Sequence, residues 1–114
     1  MFNEIDSSLF KGFKVDYGRC YQYDDKPVYF LLSRRGNAME IHVKADGREG
    51  RILLRKGCAA VIEWIPRQFI WCRMLIAPVK EMSVYNLCKK LGFKDGGLID
   101  YPPDKARMMV VTYG

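Results

Sequence analysis

The sequence predicts an α+β domain: a mixed central sheet with antiparallel N-terminal strands, one parallel crossover and a C-terminal hairpin, carrying two main helices. Three observations lead there. Strand-like segments joined by turn residues run from Gly18 to Lys44, the last of them strictly alternating, and a helical period takes over from Gly47. A nearly unbroken apolar run, Phe69 to Ala77, then separates that helix from a second one.

Taken in order, Glu4 to Phe10 reads as a short helix stopped by Gly12. Gly18 to Tyr23 is a strand, closed by the turn chemistry of Asp24-Asp25-Lys26-Pro27. Val28 to Ser33 is the next strand, and Arg34-Arg35-Gly36-Asn37 turns it into a third. In Ala38 to Lys44, Met39, Ile41 and Val43 share one face, with Glu40, His42 and Lys44 on the other.

Leu54, Cys58, Val61 and Ile65 then fall at helical spacing, while Arg48, Arg51 and Arg55 line another side. Pro66 is expected to end this helix, because the residue before a proline resists the helical region. Gly57 inside it points to a close packing contact, since glycine costs about 1 kcal/mol there relative to alanine. Phe69 to Ala77 reads as a buried strand, and a second helix follows Pro78 with Val84, Leu87, Cys88 and Leu91 as its stripe. Gly92 stops it. Leu98 to Tyr101, the turn Pro102-Pro103-Asp104 and Ala106 to Tyr113 form the final antiparallel pair.

Composition bounds the function. The 114 residues make a single domain, 1–114, with 49% hydrophobic and 28% charged residues, which is ordinary globular usage. No run of about 18 apolar residues offers a membrane span. The opening MFNEIDSSLFKGF carries early acids and lacks a long apolar core, against a secretory leader. Cys20, Cys58, Cys72 and Cys88 are scattered and His42 stands alone, so no metal cluster is expected, and unpaired buried thiols suit the cytoplasm. The net charge of +6 sits in the middle of the chain: 10 basic against 3 acidic residues from Arg48 to Lys94. Such a field favours an anionic partner, or serves only as a solvated face.

Two stretches carry a family resemblance. "SVYNLCKKLGF", Ser83 to Phe93, follows directly on the buried strand and is close to the "LYEKLGF" helix end of the GNAT superfamily of acyl-CoA N-acyltransferases. Val43 and Arg48 stand five residues apart, as in that family's pyrophosphate loop, although its glycine positions hold Arg51 and Leu53. The chain resembles a short, divergent GNAT member of bacteriophage type, and the resemblance covers roughly residues 18 to 114.

The resemblance implies acetyl-CoA as cofactor, held by Val43, Arg48, Gly50, Arg51 and Asn86, with Arg73 and Lys80 placed to reach the adenosine phosphates. Small residues let backbone amides close on phosphate at a helix N-terminus, and two arginines add charge where shape is weakened. The implied activity is transfer of an acyl group to an amine, with the Ala38 to Lys44 backbone polarising the carbonyl. Glu40 or His42 would take the amine proton, and Tyr85 or Cys88 would serve the departing thiolate. A surface carboxylate, a structural histidine and a small core thiol are the plain alternatives at Glu40, His42 and Cys88.

A short N-terminal region would leave the acceptor side open, with Tyr101 and Lys105 as its other wall. That points to a protein substrate or a host protein in the host cell cytoplasm, for a monomer or a homodimer. The alternative function is a non-catalytic binding protein of this fold, working through Tyr21, Tyr23 and Trp71 if exposed. Nucleic acid ranks last, because the cations have no helix-turn-helix, zinc or RNP-like context.

Overall fold

The computed structural model describes residues 1–6, 8 and 18–114. In chain order its elements are β1 (Phe2–Ile5), β2 (Arg19–Tyr23), β3 (Val28–Arg35), β4 (Ala38–Ala45), α1 (Gly47–Gln68), β5 (Met74–Val79), α2 (Met82–Lys90), β6 (Lys94–Tyr101) and β7 (Asp104–Thr112). Among the described residues the strands form one seven-stranded sheet, β1-β2-β3-β4-β5-β7-β6. Every neighbouring pair is antiparallel except β4 with β5, where α1 carries the chain back along the sheet. This is the mixed α+β architecture that the residue pattern predicts.

The first residues depart from expectation. Phe2–Ile5 is a strand rather than the start of a helix, because its ladder to β2 and the burial of Phe2 outweigh local propensity. The Phe2 ring lies 4.8 Å from Trp64 and 5.4 Å from Tyr23, between centroids. Positions 7 and 9–17, which include part of the expected helix and its Gly12 stop, lie outside the described residues.

Helix α1 covers one face of the sheet. Its buried Cys58, Val61 and Ile65 pack with Phe30, Leu32, Ile41, Leu75 and Met109 in the main core. Burying a side chain such as Phe30 or Ile65 contributes about 1.5–3 kcal/mol. Gly57 allows the approach: a Cβ there would stand 3.1 Å from Val28 Cγ1 and 3.3 Å from Tyr23 Cδ2.

Pro66 does not end α1, which runs on to Gln68. A proline inside a helix leaves the carbonyl four residues earlier without its amide donor. Here that carbonyl, Ile62 O, accepts the Tyr113 hydroxyl at 2.8 Å.

Two further boundaries move for tertiary reasons. The apolar Phe69-Ile70-Trp71 segment is a loop, with Cys72 N donating to Phe69 O at 2.9 Å, and β5 begins only at Met74. Its aromatics join a cluster: Phe69 sits 5.7 Å from Trp64 and 5.9 Å from Trp71. Strand β6 begins at Lys94 rather than Leu98, through an irregularity between Asp95 and Leu98 that the paired glycines Gly96 and Gly97 accommodate.

Helix α2 closes as its sequence suggests. Gly92 has φ +96, and Phe93 N reaches back to Cys88 O at 2.9 Å, which delivers the Phe93 ring into the core. All four cysteines are buried and free. Among the described residues there is no group of His, Cys, Asp and Glu able to hold a metal ion. No helix there is long and apolar enough to cross a membrane.

Candidate active site

The site begins where two strands part. β4 and β5 pair only at Ala38 with Met74, Met39 with Leu75 and Glu40 with Ile76. Beyond Glu40, β4 keeps to β3 as far as Ala45, while β5 keeps to β7 as far as Val79. Pro78 stands within β5, not after it, and has no amide to offer a β4 partner, so a proline costs no ladder bond here.

A cleft of about 900 Å³ opens between the strands. It takes Ile41 and Val43 from the helix side of β4 and His42 from the opposite side, so it passes through the sheet. Cys58 of α1 and Cys88 of α2 line its helix side, and Tyr101, Pro102 and Pro103 reach it from the β6–β7 hairpin.

At one end of β4 the chain enters α1 through a single residue, Asp46, whose side chain does not cap the helix. The first turn therefore keeps backbone amides and the positive end of the helix dipole without a side-chain partner of that kind. Arg48 and Arg51 are exposed on this turn but are not among the residues lining the cleft. Asn86 is likewise exposed on α2 and outside the lining, whereas Val43 lies within it.

Gly50 has a packing duty. A Cβ there would stand 2.6 Å from Pro27 O and 3.1 Å from the Ala45 carbonyl carbon, so α1 rests directly on backbone at this point. Leu53, at a position the resemblance reserves for a small residue, is half-buried against the core. Lys80 stands at the open end of β5 and lines the cleft. Arg73, just before β5, lies by the paired, closed end.

On the sheet face away from α1, Glu40 and His42 meet. Glu40 Oε2 lies 2.8 Å from His42 Nε2, and Arg35 Nε stands 3.6 Å from Glu40 Oε1. Both partners of the closer pair are largely buried, at 13% and 8% side-chain exposure. The His42 hydrogen bond holds the Glu40 carboxyl below the usual glutamate range, against the opposing effect of burial, with the His42 and Arg35 charges adding to it. Tyr101 feels the same pair: burial first, then the Glu40 charge, raises its hydroxyl, with Arg35 working against them. Lys80 Nζ lies 5.2 Å from the Tyr101 ring centroid. A carboxylate and an imidazole sharing a short hydrogen bond at the edge of an apolar cleft can take up a proton there.

Directly across from Glu40 on β3 is Ser33, a residue that sequence reasoning passes over. It is 1% exposed, and its hydroxyl is a buried side-chain oxygen without a hydrogen-bond partner among the described residues. An unsatisfied buried hydroxyl costs about 1–3 kcal/mol.

The two thiolate candidates separate. Cys88 lines the cleft, where burial raises its thiol to about 11, and Cys58 is pushed to about 12 by burial and by Cys88. Tyr85 does not join them. Its hydroxyl donates to Asp95 Oδ2 at 3.1 Å, in an adjoining groove of about 470 Å³ that shares Val79, Lys80 and Glu81 with the cleft and also holds Lys105 and Arg107. Asp95 is held below the usual carboxylate range, chiefly by the Gly97 amide at 2.9 Å. Lys105 thus belongs to that groove, with Asp100 at 3.6 Å, and Tyr101 alone of the expected hairpin pair faces the cleft. The aromatics expected to serve a binding surface are not available: Tyr21 and Tyr23 are buried, and half-buried Trp71 lies under Arg34, 3.9 Å from its guanidinium carbon to the ring centroid.

No protein-family model matches the chain, and no curated protein matches it. Solved structures do. The ribosomal-protein-S5-alanine acetyltransferase of Vibrio fischeri superposes with a TM-score of 0.69 at 13% identity, covering 83% of this chain and 61% of that one. An aminoglycoside acetyltransferase in complex with coenzyme A gives 0.68 at 17% identity, over 83% and 66% of the two chains. An acetyltransferase of Bacillus subtilis in complex with CoA gives 0.67 at 13% identity, over 84% and 77%. The chain therefore spans less than two thirds of the first two. What is shared at such identities is the fold, and the fold is that of the GNAT acetyltransferases.

Proposed function

We propose that this protein is an acyl-CoA-dependent N-acyltransferase. The observation that carries the reading is the parting of β4 from β5 after Glu40, which leaves one edge of β4 without a strand partner among the described residues, beside a cleft through the sheet. A thin pantetheine arm fits such a gap, whose helix-side walls Val43, Val61, Val84 and Leu87 are apolar. The uncapped first turn of α1 suits a pyrophosphate, with Arg48 and Arg51 near enough in sequence to add charge. Gly50 supports that turn from beneath rather than approaching phosphate itself.

Bound acyl-CoA supplies a thioester, an already activated acyl group. The chain's own groups do the rest. The β4 edge beyond Glu40 offers backbone amides to a carbonyl oxygen. The acceptor amine's proton passes to the imidazole of the Glu40–His42 pair, and the Glu40 carboxylate, already bonded to Nε2, stabilises the imidazolium that forms. Cys88, protonated at neutral pH because burial has raised it, gives a weak S–H donor beside the departing sulfur.

Acetyl is the acyl group we assign, and an amine on a protein the acceptor. The rim supports a peptide: Lys80 and Glu81 offer both charge signs beside the Tyr101 ring. Calorimetry with acetyl-CoA is the first test, with binding expected and absence of heat at high micromolar protein ending the proposal. Mass spectrometry of a peptide mixture incubated with acetyl-CoA tests the acceptor, with mass gain expected on peptides and not on free polyamines.

A binding-only role has one observation in its favour: Arg48, Arg51 and Asn86 stand outside the cleft lining. Recovery of a stoichiometric partner without acetyl-CoA, from protein that gives no heat with it, is the result that would favour it.

A further inference from the structure

Ser33 and Glu40 are each missing what the other has. Ser33 Oγ is a buried donor without an acceptor among the described residues. Glu40 Oε2 is engaged by His42 at 2.8 Å, while among the described residues Oε1 meets Arg35 Nε at 3.6 Å, longer than a good hydrogen bond. The two residues are direct cross-strand partners of an antiparallel ladder, and such partners share a face. Their Cβ atoms are then about 4.5–5.5 Å apart, so one rotation about the serine χ1 brings a hydroxyl within reach of the carboxylate. The hydroxyl is at present turned toward Gly18, where a Cβ would stand 2.9 Å from it. Gly18 has no side chain to bond, and among the described residues nothing there accepts the hydroxyl.

We propose that Ser33 is a positioning residue for Glu40: its hydroxyl turns to donate to Glu40 Oε1 and, with His42 on Oε2, clamps the carboxylate as an anion facing the imidazole. Its part in acyl transfer rests on the function proposed above; the contact itself does not. The groups that face Glu40 are Ser33 and Arg35 from β3, His42 from its own strand and the Tyr101 hydroxyl from β6, while β5 brings the uncharged Ile76. Ser33 carries no charge, so its removal changes hydrogen bonding without changing the local field.

The test is the ¹³C-carboxyl titration of Glu40 in the protein without acyl-CoA, assigned by Glu40→Gln. A donor to the ionised form lowers a carboxyl pKa, so Ser33→Ala is expected to raise the Glu40 midpoint by about half to one pH unit. Ser33→Thr, which restores a hydroxyl, is expected to bring it back. Ser33→Cys, a near-isostere and weak donor, is expected to behave like alanine, and either folded variant decides the matter. A residue that only fills space would not move this midpoint, and threonine would not reverse the change. An unchanged midpoint in the alanine or cysteine variant overturns the proposal. A raised midpoint in a protein that gives no heat with acetyl-CoA upholds the Ser33–Glu40 link and removes only its catalytic setting.

Discussion

Tyr113 gives its hydroxyl to Ile62 O at 2.8 Å, the carbonyl that Pro66 cannot serve. A residue at the C-terminal end thereby lets α1 continue past its proline to Gln68. Burial raises the Tyr113 hydroxyl far above its usual range, so it remains a donor at any working pH. Tyr113→Phe strands that carbonyl and is expected to cost about 1–2 kcal/mol in chemical denaturation. Unchanged stability would show that the helix end needs no such partner.

The glycines of α1 are expected to differ in tolerance. At Gly50 the obstacle is backbone, Pro27 O at 2.6 Å, which cannot step aside. Gly50→Ala should therefore cost about 1–3 kcal/mol, the range of overpacked sites. At Gly57 the neighbours are side chains at 3.1 and 3.3 Å, which can shift, and alanine gains about 1 kcal/mol of helix propensity. Gly57→Ala should cost less than half as much; the reverse order in urea midpoints would refute the packing argument.

Acid should weaken the fold through Glu40. Its folded pKa is depressed, first by the His42 hydrogen bond. A depressed carboxyl stabilises the fold above its unfolded value of about 4.3, and the contribution fades as pH falls through the folded value. Tm is expected to drop on acidification below about pH 4.3, with Glu40→Gln flattening part of the slope. Parallel Tm curves for the two proteins would sink this assignment.

Alkali acts through the thiols. Burial leads in holding Cys20 and Cys88 at about 11 and Cys58 at about 12. A raised thiol pKa stabilises the fold below the unfolded value of about 8.5, and that support is lost as pH rises toward the folded values. Stability should decline between about pH 8.5 and 11, and iodoacetamide at neutral pH should label these thiols only after unfolding. Rapid native-state labelling of Cys58 would contradict its burial.

Tyr85 is committed to Asp95, outside the cleft. Tyr85→Phe is expected to leave acetyl-CoA affinity unchanged in calorimetry. An order-of-magnitude loss of affinity would mean that this hydroxyl turns into the cleft when ligand binds.

Apolar content and turn residues placed β2 and β3, strict alternation placed β4 and helical spacing placed both helices, because each of these signals is local in the chain. The alternation also put Glu40 and His42 on one face, two residues apart, and the 2.8 Å contact follows from that register. Boundaries that depend on distant partners were not legible. Phe2 needs Trp64 before β1 makes sense, and Pro66 needs Tyr113 before α1 can outlast it. Neither partner is near in sequence.

The residues by themselves determined the fold class, the strand-helix-strand crossover and the shared face of Glu40 and His42, since all three arise from local patterns, while the candidacy of that pair came with the family resemblance. Tertiary structure alone decided where β4 leaves β5, that Gly50 packs against backbone, that Tyr85 turns to Asp95 while Cys88 faces the cleft, and that Ser33 stands opposite Glu40 with no bond to another described residue. Direction and partnership are properties of the assembled sheet, and a repeat pattern records which residues are buried without recording what they face.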